Sequence, residues 1–138
     1  MIGQLSKHIQ THGGCALIID YGGWTSKGDT LQAVVKHKYA DVLHALGDAD
    51  LTAHLDFEQI ATASHCAVSK MCTQQDLLEQ LGISHRTQTL VTSAANEAQK
   101  NDIISAYRRL THEEEMGTLF KAISLFPKNG PCPAGFEA

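Results

Sequence analysis

Asp20 and Tyr21, with the run Asp50, Thr52, His54 and Asp56, are the residues whose types and spacing could do chemistry in this 138-residue chain. Asp20 and Tyr21 end the apolar run Cys15-Ala16-Leu17-Ile18-Ile19 and lead into Gly22-Gly23. A short apolar run bounded by turn residues predicts a strand buried on both faces. In open α/β sheets the working surface lies beyond the carboxyl ends of the strands, and there a carboxylate can hold a guanidinium through a charge-assisted pair. The alternative is that Asp20 caps the loop at 22–30 and Tyr21 packs. Asp50, Thr52, His54 and Asp56 fall on even positions, so an extended segment would put them on one face. Two carboxylates and an imidazole could then orient and deprotonate an acceptor nitrogen. The competing reading is a hydrogen-bonded turn with Thr52 and Asp56 as helix caps. Gln74 either donates to a substrate or joins Thr73 in capping a helix. The candidates are therefore Asp20 and His54 as catalytic residues, with Tyr21, Asp50, Thr52 and Gln74 as substrate contacts.

The elements that must position these residues read as α/β. Leu5 and Ile9 predict a helix over 3–12 that stops at Gly13-Gly14, followed by the strand at 15–20. Residues 30–46 fit a strand, a helix or both. Asp56 is a plausible N-cap for a helix over 56–65, with Gln59 completing a capping-box pattern. A strand is expected at 66–72, then helices from Thr73 to Leu81, from Ser84 to 92 and over 96–109. Arg108 and Arg109 fall in the last turn, as the helix dipole favours. Residues 119–126 read as a closing strand and 127–138 as an irregular proline- and glycine-rich tail. The count is three strands and four or five helices, a thin sheet for the length.

Composition narrows the classes. The 43% hydrophobic and 19% charged residues are ordinary for a globular protein. A net charge of −4 leaves no basic excess to attract nucleic acid or anionic lipid, and no apolar run is long enough to span a bilayer. Cys15, Cys66, Cys72 and Cys132 form no CxxC, so free thiols in a reducing compartment are expected, with Cys15 and Cys66 as small hydrophobes. Zinc on His65, Cys66 and Cys72 has the wrong spacing. Of the scattered histidines, His8, His12, His44, His65, His85 and His112 read as surface or helix-end residues. No GxGxxG or GxxxxGK[ST] phosphate loop occurs.

Several segments carry a resemblance: Ala16-Leu17-Ile18-Ile19-Asp20-Tyr21-Gly22, Gly28-Asp29-Thr30-Leu31-Gln32-Ala33, His37-Lys38-Tyr39-Ala40-Asp41 and Asp50-Leu51-Thr52-Ala53-His54-Leu55-Asp56-Phe57. Thr73-Gln74, Leu81-Gly82-Ile83, Arg86, Met116-Gly117-x-Leu119-Phe120-Lys121 and Pro133-Ala134-Gly135-Phe136 follow in order. Together, over about residues 5–136, they resemble the C-terminal part of the MidA-type S-adenosylmethionine-dependent methyltransferases. These are bacterial relatives of a mitochondrial complex I assembly factor that methylates an arginine on a complex I subunit.

The resemblance implies a class I methyltransferase sheet, with 15–20 as its fifth strand, 66–72 as its sixth and 119–126 as its antiparallel seventh. Residues 1–126 would be the C-terminal part of that domain and 127–138 its tail. It also implies that the family's cofactor-binding positions precede the matched stretch. No S-adenosylmethionine residue then carries over to this chain, and the chain alone is expected to be inactive. A protein substrate is implied, a complex I subunit by family analogy, with no metal, nucleic acid or membrane insertion. The location would be cytoplasmic in a bacterium and mitochondrial in a eukaryote. An exposed sheet edge would favour homo-oligomers, and a non-enzymatic protein-binding module is the rival reading. Where the family has Thr-Gln-Gly this chain has Thr73-Gln74-Gln75, a place where glycine could be needed for its backbone angle.

Overall fold

The structure, a computed structural model, describes residues 1–43 and 47–137. His44 and Leu46, which the sequence reading places on the surface and in the 30–46 segment, lie outside the described residues. Helix α1 (Ile2–His12) stops where Gly13 donates its N–H to the Ile9 carbonyl at 2.9 Å. Strand β1 (Ala16–Gly23) follows. A hairpin of β2 (Gln32–Val35) and β3 (Lys38–Ala40) pairs with β4 (Asp50–Thr52) as a small antiparallel sheet in the order β3-β2-β4. Then come β5 (Leu55–Asp56), α2 (Phe57–Thr62), β6 (Ala67–Val68), β7 (Cys72–Thr73) and α3 (Gln74–Gln80). The chain closes with α4 (Ile83–Thr92), α5 (Glu97–Thr111), α6 (Met116–Leu119) and β8 (Phe120–Phe126).

The larger sheet confirms the α/β class. β8 runs antiparallel to β1, from Ala16 opposite Leu125 to Tyr21 opposite Phe120. On its other side β8 is antiparallel to β6 and β7, with Val68 opposite Leu125 and Cys72 opposite Ala122. An antiparallel strand thus lies between two that run parallel to each other, as the resemblance implies for its fifth, seventh and sixth strands. The strand expected at 66–72 is two short pieces, interrupted at Ser69–Met71, where Ser69 ties to Ser124 through both its backbone and its hydroxyl.

One face of this sheet carries the core. Ile123 and Leu125 are buried with Ile9 of α1, Phe57 and Ile60 of α2, and Cys66, while Ala16 and Ile18 pack against them. Each fully buried Ile, Leu or Phe among them contributes about 1.5–3 kcal/mol by leaving water. The other face of β1 is open: Leu17 is 52% and Ile19 40% exposed. The expectation of a strand buried on both faces is therefore corrected. Alternation sends Ala16 and Ile18 to the core and Leu17 and Ile19 outward, where the described residues leave them about half covered. Cys15, expected in an apolar setting, is exposed as well.

Three further expectations change. The described structure holds eight strands rather than three, because residues 32–40 of the uncertain segment form a β-hairpin, the alternating run at 50–56 adds two short strands and the strand expected at 66–72 is split in two. Ser84 is not the N-cap of α4. Gly82 occupies that position, and the Ser84 hydroxyl donates to Glu79 at 2.6 Å. Gln75 lies inside α3 without a positive φ, so no glycine is required there. The caps of α2 and α3 form as expected: Asp56 accepts from Gln59 N–H at 3.0 Å, and Thr73 and Asp76 cap each other's backbone. Beyond Pro127 the tail is irregular, and Gly135 abuts Leu77 and Leu81 of α3.

Candidate functional site

At the carboxyl end of β1 three rings form a row. Tyr21 meets His54 edge-on at 5.8 Å between ring centroids and Phe120 edge-on at 5.6 Å. Phe120 is there because the β1–β8 register sets it opposite Tyr21. His54 is there because two interactions hold its segment in place. Its N–H donates to the Thr30 hydroxyl at 3.1 Å, and the next residue, Leu55, pairs with Gly22. That pairing depends on glycine, since a Cβ on residue 22 would sit 2.2 Å from the Leu55 carbonyl oxygen. Asp20 precedes Tyr21 and accepts its N–H at 2.8 Å. On the other side of the sheet edge Asp20 faces Lys121, whose ammonium instead donates to the Thr118 carbonyl. A carboxylate, a phenol and an imidazole therefore share one strand end. The three rings meet edge-on, while Asp20, one residue before Tyr21 on the same strand, belongs to the opposite face of β1. A carboxylate and aromatic rings at one strand end are groups that attract a planar cation.

The other predicted residues do not all join them. The segment 50–56 is not one strand. Asp50 and Thr52 sit in the small sheet, opposite Val34 and Gln32, while Asp56 lies in the large one. The shared face expected for Asp50, Thr52, His54 and Asp56 is therefore broken between Thr52 and Leu55. Asp56 is occupied structurally, accepting from Gln59 through one oxygen and from Ser26 N–H at 3.1 Å through the other. Asp50 is exposed and Thr52 half-buried. Gln74 is turned inward: it is buried and donates its amide N–H to the Leu110 carbonyl at 2.9 Å, fastening α3 to α5. The expectation that it meets substrate is corrected accordingly. Among the described residues no group of three or more His, Cys, Asp or Glu is placed to hold a metal ion.

Phe120 and Thr30 are the participants the residue reading passed over. Both enter through long-range pairing, and neither sits in a local pattern that announces chemistry. The wall is open rather than enclosed. A cavity of about 400 Å³ between α3 and the tail is lined by Lys70, Cys72, Asp76, Glu79 and others, and none of Asp20, Tyr21 or His54 reaches it.

Residues 1–75 match the family described as "Putative S-adenosyl-L-methionine-dependent methyltransferase". The chain belongs to this family. Its similarity extends to the mitochondrial protein arginine methyltransferase NDUFAF7 of Xenopus tropicalis, at 34% identity over 99% of this chain and 34% of that protein. The Mus musculus counterpart is 35% identical over 92% of this chain and 30% of its own length. Among solved structures, a Burkholderia thailandensis protein bound to S-adenosyl-homocysteine superposes with a TM-score of 0.74 at 27% identity. That match covers 88% of this chain and 34% of the other. The chain thus spans about a third of the length of the curated relatives it matches. As a methyltransferase-family segment, it carries the mixed sheet and the ring row together, with no helix long and apolar enough to cross a membrane among the described residues.

Proposed function

We propose that this chain is the C-terminal part of an S-adenosylmethionine-dependent protein-arginine methyltransferase, in which it supplies a sheet edge and a substrate-facing wall. The observation that carries the reading is the row His54–Tyr21–Phe120 at the carboxyl end of β1, where Asp20 is the preceding strand residue. Asp20 receives the guanidinium, the Tyr21–Phe120 pair packs against the substrate at the strand end, and His54 takes the proton released from the attacking nitrogen. Asp50 and Thr52, one sheet away, are in reach of the flanking substrate polypeptide. Residues 1–126 act as part of the catalytic domain, with 127–138 as its tail.

S-adenosylmethionine supplies the electrophilic methyl group. The described residues do not fit a cradle for it: no glycine-rich phosphate or ribose loop is present, and the ring row is a wall without an opposite side. The cofactor is therefore held mainly by a part not contained in this chain, and the isolated chain is inactive. Family resemblance points to a complex I subunit as the protein substrate. The named eukaryotic relatives are mitochondrial, which supports that location in a eukaryote and the cytoplasm in a bacterium.

In the full-length enzyme, Asp20→Ala and His54→Ala are each expected to lower the turnover of a protein-arginine substrate by about 100-fold or more. Unchanged turnover in both variants overturns the site assignment. A second reading, a self-associating or protein-binding module without catalysis, is favoured by the β1 edge, unpaired over 16–21 among the described residues, and by exposed Leu17 and Ile19. The same variants separate the readings, because a module that only binds has no turnover to lose.

A further inference from the structure

The end of β8 and the start of β1 lie together, since Ala16 pairs with Leu125. Beyond Phe126 the chain reverses: Gly130 N–H donates to the Pro127 carbonyl at 2.9 Å, and Lys128 N–H donates to the Gln10 side chain of α1 at 3.0 Å. This reversal returns residues 131–134 to the beginning of β1. There Gly14, Cys15, Phe126, Pro131, Cys132 and Pro133 line one cavity of about 430 Å³. Two cysteines from sequence positions 117 apart thus line the same space. Both are free, Cys15 exposed and Cys132 partly so, and the Cys132 thiol makes only a long contact, 3.6 Å to the Phe136 carbonyl.

We propose that Cys15 and Cys132 are a disulfide-forming pair, a modification site that fastens the C-terminal tail to the first strand. The bond requires the two Cα atoms to come within about 7 Å. Cys15 follows Gly13 and Gly14, neither of which has an atom within 4 Å of where a Cβ would be, so the segment before it is unencumbered by side-chain packing. Fastening matters because the tail spans the fold. Its Gly135 abuts Leu77 and Leu81 of α3, and Glu137 accepts the Lys70 N–H at 2.9 Å. The chemistry is thiol–disulfide exchange with a small disulfide such as oxidised glutathione. A Cys15 or Cys132 thiolate attacks it, releasing one glutathione thiolate. The second protein thiolate then displaces the other, leaving one protein disulfide and two glutathione thiols. The remaining cysteines are poor competitors. Cys66 is buried, and burial together with the nearby Asp76 carboxylate pushes the Cys72 thiol above its usual range, leaving less thiolate to react.

The test incubates the native 138-residue chain with oxidised glutathione, then counts free thiols and maps peptides without reduction. The expected result is a fall from four free thiols to two, with a Cys15–Cys132 cross-linked peptide that reductant removes. Cys15→Ser and, separately, Cys132→Ser should each abolish the cross-link. Four remaining thiols, a different pairing, or glutathione adducts on Cys15 or Cys132 without a cross-link would each overturn the proposal.

Discussion

Gly22 does two jobs that a larger residue could not combine. It lets β5 lie against β1, with no room for a side chain between residue 22 and the Leu55 backbone. By fixing Leu55 it also fixes the neighbouring His54 ring on Tyr21. A Cβ would meet the Leu55 carbonyl oxygen at 2.2 Å and its nitrogen at 2.8 Å, both backbone atoms that cannot step aside alone. Gly22→Ala should therefore destabilise the fold by about 3 kcal/mol, the upper end of what overpacking costs, measured by denaturant unfolding. An unfolding midpoint equal to that of the parent would mean the β1–β5 contact is not held as described. Asp56 shows the same economy. Its two oxygens cap α2 and hold the 23–30 loop through Ser26, leaving neither for chemistry. The sequence anticipated the cap, because capping is a local pattern. It did not anticipate Ser26, 30 residues away.

Among the elements, the hairpin β2–β3 is the one the sequence concealed. Its two-residue loop, Lys36-His37, has both residues at positive φ, 48° and 64°, between the closing pair Val35 and Lys38. This is the type I′ arrangement, normally announced by Asn-Gly or Asp-Gly. Lysine and histidine give no such signal, and each bears a steric cost of about 1–2 kcal/mol in the left-handed region. Replacing the pair with Asn-Gly should stabilise the chain by about 1 kcal/mol, read as a higher denaturant midpoint. A lower midpoint would show that the lysine and histidine side chains contribute more than their strain costs. Where the punctuation was ordinary, the sequence sufficed. The Gly13 stop of α1, the Thr73 cap of α3 and the largely apolar run of β8 were all legible. The ring row was half legible. Tyr21 and His54 stood out by type and by position near a strand end, but Phe120 and Thr30 join them only through pairings made over long separations.

At the scale of the whole molecule, the sheet is finished on both faces at β8 but on only one face at β1. Core packing closes around Ile123 and Leu125. Leu17, Ile19 and the 16–21 edge of β1 stay in contact with solvent. An apolar strand with a bare edge is a surface that proteins normally cover. In the proposed enzyme the cover is the remaining two-thirds of the relatives' length. The same division explains why a strand run that reads as doubly buried is only singly buried here: the sequence is patterned for a larger sheet than these residues make. It also explains how a substrate wall can be present without a pocket. The most direct test is calorimetric titration of the 138-residue chain with S-adenosyl-homocysteine. The account predicts no saturable binding, because the cofactor's cradle is not built from these residues. Specific binding at one site per chain would contradict it.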